Sequence, residues 1–126
     1  MKRKINKTYT ILIVLLSIFI EGCSIKSEPY NLLIINNSGD SFKSIGFQQE
    51  HSSGGVSNAD NSFIESGDGF KMYMESNEFS LTVIDTYGNE IIRQKFNVDF
   101  SNNKNKVYKI YIEKDFSGSL EFILIE

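Results

Sequence analysis

The only histidine in the chain, His51, stands among residue types that could support nucleophilic catalysis. Ser52 and Ser53 follow it directly, and Glu50 and Asp60 lie nearby in the sequence. A hydroxyl nucleophile, an imidazole base and an orienting carboxylate form a catalytic set when the fold brings them within hydrogen-bond reach. However, the stretch lacks the Gly-x-Ser-x-Gly elbow of hydrolases, and neighbouring residues of a strand point to opposite faces. We therefore expect His51 to be solvated and non-catalytic.

Acidic residues near predicted turns raise the question of a calcium site, because hard cations bind carboxylate and carbonyl oxygens. These residues are Asp60, Glu65, Asp68, Asp85 and Glu90. Their spacing does not match a calcium-binding loop, and acids in turns commonly accept hydrogen bonds from nearby backbone amides. One histidine and one cysteine cannot supply the usual zinc ligands. We expect no metal site and no catalytic residue.

The longest polar stretch runs from His51 to Asn61 and is rich in Gly, Ser and Asn. It lacks the lysine and the helix of a phosphate-binding loop. Exposed loops on rigid sheets often carry binding residues. The sequence therefore predicts a recognition loop, whose candidate binding residues are His51, Ser53, Asn58 and Asp60.

The one cysteine, Cys23, indicates a different chemistry, because a lone thiol in an exported chain is paired between molecules, left free or modified. It follows a basic N-terminus, with four Lys or Arg among the first seven residues, and an uncharged apolar run over residues 9–20. Spanning a bilayer as a helix takes about 20 apolar residues, so this run is too short. The segment has the features of a signal sequence.

The sequence Ile20-Glu21-Gly22-Cys23 resembles the lipobox of bacterial lipoproteins. The resemblance implies that the Cys23 thiol receives a diacylglyceryl lipid and that a peptidase cleaves between Gly22 and Cys23. It further implies lipid anchoring on the extracytoplasmic face of the cell membrane. Apart from this covalent lipid, we expect no cofactor. Glu21 departs from the pattern, which has a small or aliphatic residue there. Ordinary secretion with cleavage after Ser24 stays an alternative.

Removal of residues 1–22 leaves nine Lys and Arg against fifteen Asp and Glu, a net charge of −6. Nucleic acid is disfavoured as a partner because phosphates require a basic patch. Anionic lipid head groups should also repel such a domain. Two acyl chains suffice for anchoring, since each buried CH₂ contributes about 0.8 kcal/mol. The tether over residues 23–29 reaches about 20 Å beyond the lipidated cysteine, which keeps the domain close to the membrane.

Residues 30–126 predict a single domain, an antiparallel β-sandwich of seven or eight strands. Short stretches rich in Ile, Val, Phe and Tyr are separated by Gly, Asn, Asp and Ser about every eight to twelve residues. No disulfide can form within the domain, so aliphatic and aromatic packing must stabilise it. A small closed barrel is the alternative. The predicted strands are 30–35, 41–49, 62–65, 70–75, 79–85, 90–98, 107–113 and 120–125.

Three turn patterns are similar to those of small exported bacterial β-sandwich modules of immunoglobulin-like dimensions. They are Ile35-Asn36-Asn37-Ser38-Gly39, Ile64-x-x-Gly67 and Val83-Ile84-Asp85-x-x-Gly88. The resemblance covers most of residues 30–98 and implies no particular activity. The Cys and Trp landmarks of immunoglobulin domains are absent, since the chain has no Trp and its one Cys precedes the predicted domain.

Together these patterns predict a membrane-anchored, non-catalytic binding or accessory module of the cell envelope. We expect an envelope protein or peptide as its partner. A small metal-dependent or hydrolytic enzyme centred on the His51 loop is one alternative, and a structural subunit of an envelope complex is another.

Overall fold

The computed structural model describes residues 29–126, so the predicted signal sequence, Cys23 and most of the tether lie outside the described residues. The described residues form eight strands and contain no helix, which confirms the all-β prediction. No helix in this part of the chain could therefore cross a membrane. The strands are β1 (Leu32–Asn36), β2 (Ser44–Gln48), β3 (Ser53–Val56), β4 (Gly69–Met72), β5 (Glu78–Ile84), β6 (Glu90–Asn97), β7 (Tyr108–Lys114) and β8 (Leu120–Ile125).

The strands form two four-stranded sheets, with the orders β4-β1-β7-β8 and β3-β2-β5-β6. Neighbouring strands are antiparallel except for β1 and β7, which run parallel from the Leu32–Tyr108 pair to the Asn36–Ile112 pair. The expectation of a wholly antiparallel arrangement is wrong at this pair. The chain crosses from β6 in the other sheet before it forms β7, and such a crossover lets β7 begin at the same end as β1.

Two predicted segments differ from the structure. β3 lies inside the predicted polar loop and pairs with β2, although two of its four residues are glycine. The predicted edge strand over residues 62–65 is reduced to a single bridge between Phe42 and Ile64. Both errors have one cause, because a short segment becomes a strand through the neighbour it pairs with more than through its own residues.

One hydrophobic cluster includes residues of both sheets. Its members alternate along the strands, as in β1, where Leu32 and Ile34 are fully buried and Leu33 is half-buried. Contacts between the sheets include the rings of Phe96 in β6 and Phe122 in β8, which meet edge to face with centroids 5.8 Å apart. Each fully buried aliphatic or aromatic side chain contributes about 1.5–3 kcal/mol. Residues 29–126 contain no cysteine, so this packing and not a disulfide stabilises the described domain.

The strand directions define two ends of the domain. We call the end where the chain arrives at Tyr30 the tether end; it also contains the turn 49–52, the segment 73–77 and the loop 98–107. We call the opposite end the turn end; it contains residues 37–43, 57–68, 85–89 and 115–119. Contacts across the turn end agree with this assignment. Lys114 Nζ lies 2.8 Å from Asp40 Oδ1, and Asn37 Nδ2 donates to Glu113 Oε1 at 3.2 Å.

Candidate functional site

The four predicted binding residues do not form one site. His51 lies at the tip of the β2–β3 hairpin, at the tether end, and Ser53 begins β3. Asn58 and Asp60 follow the other end of β3 and belong to the turn end. The length of β3, about 13 Å, separates the two groups. The loop predicted as one recognition element is therefore divided by a strand.

The surroundings of His51 provide no catalytic set within the described residues. Its side chain is 86% exposed, and its Nε2 lies 3.7 Å from Glu50 Oε1. The Ser52 hydroxyl accepts a hydrogen bond from Gln49 Nε2 at 3.3 Å, and no described hydrogen bond joins His51 to Ser52 or Ser53. The Gln49 N–H donates to the Ser52 carbonyl at 2.8 Å, which closes a tight turn with His51 at its tip. This position directs the imidazole into solvent.

Asn58 and Asp60 use their side chains to order their own loop. Asn58 Nδ2 donates to the Phe63 carbonyl at 2.8 Å and to Ser62 Oγ at 3.1 Å. Asp60 Oδ1 accepts from the Ser62 N–H at 3.0 Å and from its hydroxyl at 2.6 Å. These bonds, that of the hydroxyl first, hold the pKa of Asp60 below its usual value. The loop borders a shallow pocket of about 520 Å³ lined by Asn58, Asp60, Phe63, Glu65 and Asp68.

Within residues 29–126, no group of three or more His, Cys, Asp or Glu side chains is arranged to hold a metal ion. The acids considered for calcium have other bonds. Asp68 Oδ2 accepts from the Glu65 N–H at 2.9 Å, and Glu90 forms an ion pair with Arg93 at 2.8 Å. Turn carboxylates commonly act in this way as local acceptors.

The two hairpin turns at the turn end share one architecture, which the sequence repeats as Asp-x-x-Gly. The Oδ1 atoms of Asp85 and Asp115 each accept backbone N–H groups from the residues two and four positions later. The distances are 2.9 and 2.8 Å in the first turn and 2.8 and 3.0 Å in the second. Gly88 and Gly118 follow with φ of 88° and 83°, a conformation that L side chains rarely adopt. Both turns are thus fixed by their own side chains.

Each of these turns carries an exposed aromatic ring. Tyr87 is 89% exposed and Phe116 is fully exposed, while Phe63 in the neighbouring loop is 44% exposed. Because β5 and β7 both end at the turn end, the two rings extend from the same end of the domain, one from each sheet. Large apolar side chains are also exposed at the tether end, namely Tyr73, Val107 and Ile125, but the turn end has three exposed aromatic rings against one. This makes the turn end the candidate interaction surface. The available sequence signal was an aromatic residue between the Asp and the Gly of each turn.

The turn end also carries the net charge of the domain. By strand pairing, the half of the described domain toward the turn end has nine side-chain carboxylates and three basic side chains. The other half has five carboxylates and five basic side chains. The two halves therefore carry −6 and 0. Hydrogen bonds from Arg93 and Ser117 lower the pKa values of Glu90 and Asp115, respectively, so these carboxylates stay ionised. The nine acids are Asp40, Asp60, Glu65, Asp68, Asp85, Glu90, Glu113, Asp115 and Glu121.

A cleft of about 760 Å³ lies at the tether end. Gln49 Oε1 accepts from the backbone N–H groups of Glu75 and Ser76, both at 3.0 Å, and so joins the β2–β3 turn to the segment before β5. The lining includes three glutamates and Lys95 but not His51. The cleft therefore has a polar, charged lining without an imidazole that could act as a base.

Comparisons with protein-family models, with curated proteins and with solved structures found no match for this chain. They add no activity, ligand or partner to what the residues indicate. The turn end is thus the candidate functional site on geometry alone, because it combines ordered turns, exposed rings and net charge.

Proposed function

We propose that this chain is a bacterial lipoprotein that acts as a non-catalytic binding or accessory module of the cell envelope. In this proposal residues 1–22 are a signal sequence, and Cys23 carries a diacylglyceryl lipid on the extracytoplasmic face of the cell membrane. Residues 24–29 complete the short tether, and residues 30–126 are the binding domain. The lipobox-like sequence ending at Cys23 supports the anchoring part of the proposal.

The main support for the binding role is the position of the exposed rings relative to the point where the N-terminal tether enters the domain. The chain reaches the domain beside Asn31, whereas Tyr87 and Phe116 lie at the opposite end. A tether that reaches about 20 Å holds the tether end near the lipid. The two rings then face away from the membrane, where another envelope molecule can reach them.

The charge distribution supports the same orientation. Anionic head groups repel the turn end, which carries −6, more strongly than the tether end, which has no net side-chain charge. Repulsion decays over about 8–10 Å at physiological salt, so it acts only when the turn end approaches the lipid. An acidic surface with exposed rings complements a basic partner.

We also infer that the two sheets form an immunoglobulin-like sandwich. The support is the hydrophobic cluster that both sheets share, together with the order β6-β5-β2-β3, in which two hairpins lie side by side. The parallel β1–β7 pair is a variation on a wholly antiparallel arrangement. In such a sandwich, turns at one end form a single surface, as the binding role requires.

Crosslinking in intact cells tests the binding role. We expect the wild-type protein to give a discrete crosslinked adduct, and the double variant Tyr87→Ala/Phe116→Ala to lose it. Tyr73→Ala is the matched control, because Tyr73 is also an exposed ring, at 60%, but lies at the tether end. Equal adduct yields from the double variant and wild type would contradict the assignment of binding to the turn end.

A separate variant distinguishes this role from an enzyme centred on His51. An enzyme that used His51 as a general base should lose activity by about 10²–10⁴-fold in His51→Ala. We expect the crosslinked adduct and any cellular phenotype to be unchanged, because the imidazole is exposed and lies at the tether end. A phenotype lost in His51→Ala, with the adduct retained, would favour the enzyme.

A further inference from the structure

The four edge strands of the two sheets differ in how they are protected from pairing with other chains. Proteins commonly protect such edges with charged side chains, proline or bulges. β4 carries Lys71 and β8 carries Glu121. β6 carries several charged side chains, and a register shift leaves its Ile91 unpaired. β3 consists of Ser53, Gly54, Gly55 and Val56; it is as short as β4 but has no charged side chain, proline or register shift. Among the described edges, β3 is therefore the least protected against pairing.

The backbone groups at the outer edge of β3 follow from its pairing with β2. The Gln49 N–H donates to the Ser52 carbonyl, so Gln49 and Ser52 form a hydrogen-bonded pair of the ladder. Such pairs occur at every second position of an antiparallel ladder, so the next ones are Phe47–Gly54 and Ile45–Val56. The N–H and C=O groups of Ser53 and Gly55 therefore point away from β2. Both residues are exposed, and no described hydrogen bond outside the sheet reaches these groups.

The side chains beside this edge leave an apolar rim. A Cβ atom added at Gly54 would lie 3.0 Å from Cζ of Phe47, so the ring of Phe47 occupies the space beside the glycine. Phe47 and Val56 lie on the core-facing side of the sheet and are half-buried. A strand added along β3 would place every second side chain next to them.

We propose that the outer edge of β3 binds an extended polypeptide segment of another protein as a fifth strand of the sheet. This inference rests on the proposed binding role and names a second surface for it. The outward N–H and C=O groups alternate at the spacing of a β-ladder, which an extended polypeptide backbone matches. The rim of Phe47 and Val56 favours apolar residues at alternate positions of the bound segment, and the net charge of −6 favours basic residues between them.

A second copy of this chain does not fit the edge when both copies are anchored in one membrane. Antiparallel pairing of two β3 strands would put the tether end of one copy beside the turn end of the other. Two tethers of about 20 Å cannot then reach the same bilayer from upright domains. Parallel pairing of two copies about a twofold axis fails as well. The symmetry would put the outward N–H and C=O groups of the two β3 strands at the same height along the strands, whereas a parallel ladder requires an offset of one residue.

The test uses the full chain in lipid nanodiscs and a capped peptide of about eight residues with alternating Lys and Val. We expect the peptide to bind and to slow hydrogen exchange at the Ser53 and Gly55 amides. Gly55→Pro removes an outward N–H without breaking a bond to β2, so it should weaken binding about tenfold or more. Gly55→Ala, which keeps the N–H, is the matched control. A peptide N-methylated at every amide, which cannot donate to the edge, should fail to bind.

Two results would overturn the inference. One is unchanged exchange at Ser53 and Gly55 with the peptide in excess, and the other is a dimer of the full chain that Gly55→Pro dissociates. Neither depends on the turn end, so loss of the cellular adduct in Tyr87→Ala/Phe116→Ala would still support the binding role. Conversely, the peptide could slow exchange at the β3 edge while the double variant keeps the wild-type adduct yield. That result would contradict the turn-end site but not the β3 site.

Discussion

The side-chain amide of Asn31 and the backbone of Met74 form a reciprocal pair of hydrogen bonds. Asn31 Nδ2 donates to the Met74 carbonyl at 2.9 Å, and the Met74 N–H donates to Asn31 Oδ1 at 2.7 Å. Both residues are buried, and the Asn31 N–H also bonds to the Met72 carbonyl at 3.1 Å. The carboxamide acts here as an additional peptide group, so it continues the β1–β4 pairing beyond the strands at the tether end.

Asn31→Leu should therefore destabilise the domain although it adds an apolar side chain. Both backbone groups of Met74 would be buried without partners, and each such loss costs about 1–3 kcal/mol. We expect the free energy of unfolding to fall by about 2–4 kcal/mol in urea titrations. Asn105→Leu, at an exposed asparagine, should change it by less than about 0.5 kcal/mol. Similar losses in both variants would argue against a specific role of the Asn31 amide.

A chain of aromatic contacts connects the two sheets. Phe79 stacks on Phe96 at 5.2 Å, and Phe96 meets Phe122 edge to face. Phe96→Ala removes a buried ring from both contacts and leaves a cavity, so we expect a loss of about 3–5 kcal/mol. Phe116→Ala, which removes an exposed ring, should leave the unfolding midpoint nearly unchanged. A marked loss from Phe116→Ala would mean that its ring serves stability and not binding.

The sequence predicted the strands whose own residues alternate, and it failed where a partner decides the outcome. β5 was predicted correctly because Phe79, Leu81 and Val83 share one face with period two. β3 was missed because Ser and Gly carry no such signal, and its strand conformation depends on β2. The parallel β1–β7 pair depends on a crossover between sheets, which no local pattern encodes.

The candidate site was predictable in its chemistry but not in its geometry. The acids and the Asp-x-x-Gly turns are visible in the sequence, as is the aromatic residue inside each turn. Their arrangement at one end follows from the directions of β5 and β7, which require the sheet order. His51 and Asp60, nine positions apart in the sequence, lie toward opposite ends because β3 runs between them.

Stability should decline in acid because several turn carboxylates accept hydrogen bonds only in the folded state. Bonds from Ser62, Asn102 and Ser117 lower the pKa values of Asp60, Asp99 and Asp115, respectively. The folded protein then binds protons less readily than the unfolded chain at these groups. Their contribution is fully present above the unfolded pKa of about 3.9 and is lost as pH falls through the lower folded values.

We expect urea midpoints to be flat above about pH 5 and to fall progressively below about pH 4. Replacement of Asp60, Asp99 and Asp115 by Asn keeps one acceptor oxygen at each position but removes the titrating group. The triple variant should therefore show a weaker acid dependence than wild type. An identical acid profile would assign the effect to other carboxylates.

Processing at Cys23 can be tested by mass spectrometry of the protein extracted from membranes. A lipoprotein should show a diacylglyceryl-modified Cys23 as its first residue, and Cys23→Ser should lose both the lipid and membrane retention. Glu21 places a carboxylate where the lipobox has a small or aliphatic residue, so Glu21→Ala should raise the processed fraction. Lys26→Ala, beyond the cleavage site, is the control and should leave processing unchanged. An unmodified N-terminus at Ile25 would instead establish ordinary secretion with cleavage after Ser24.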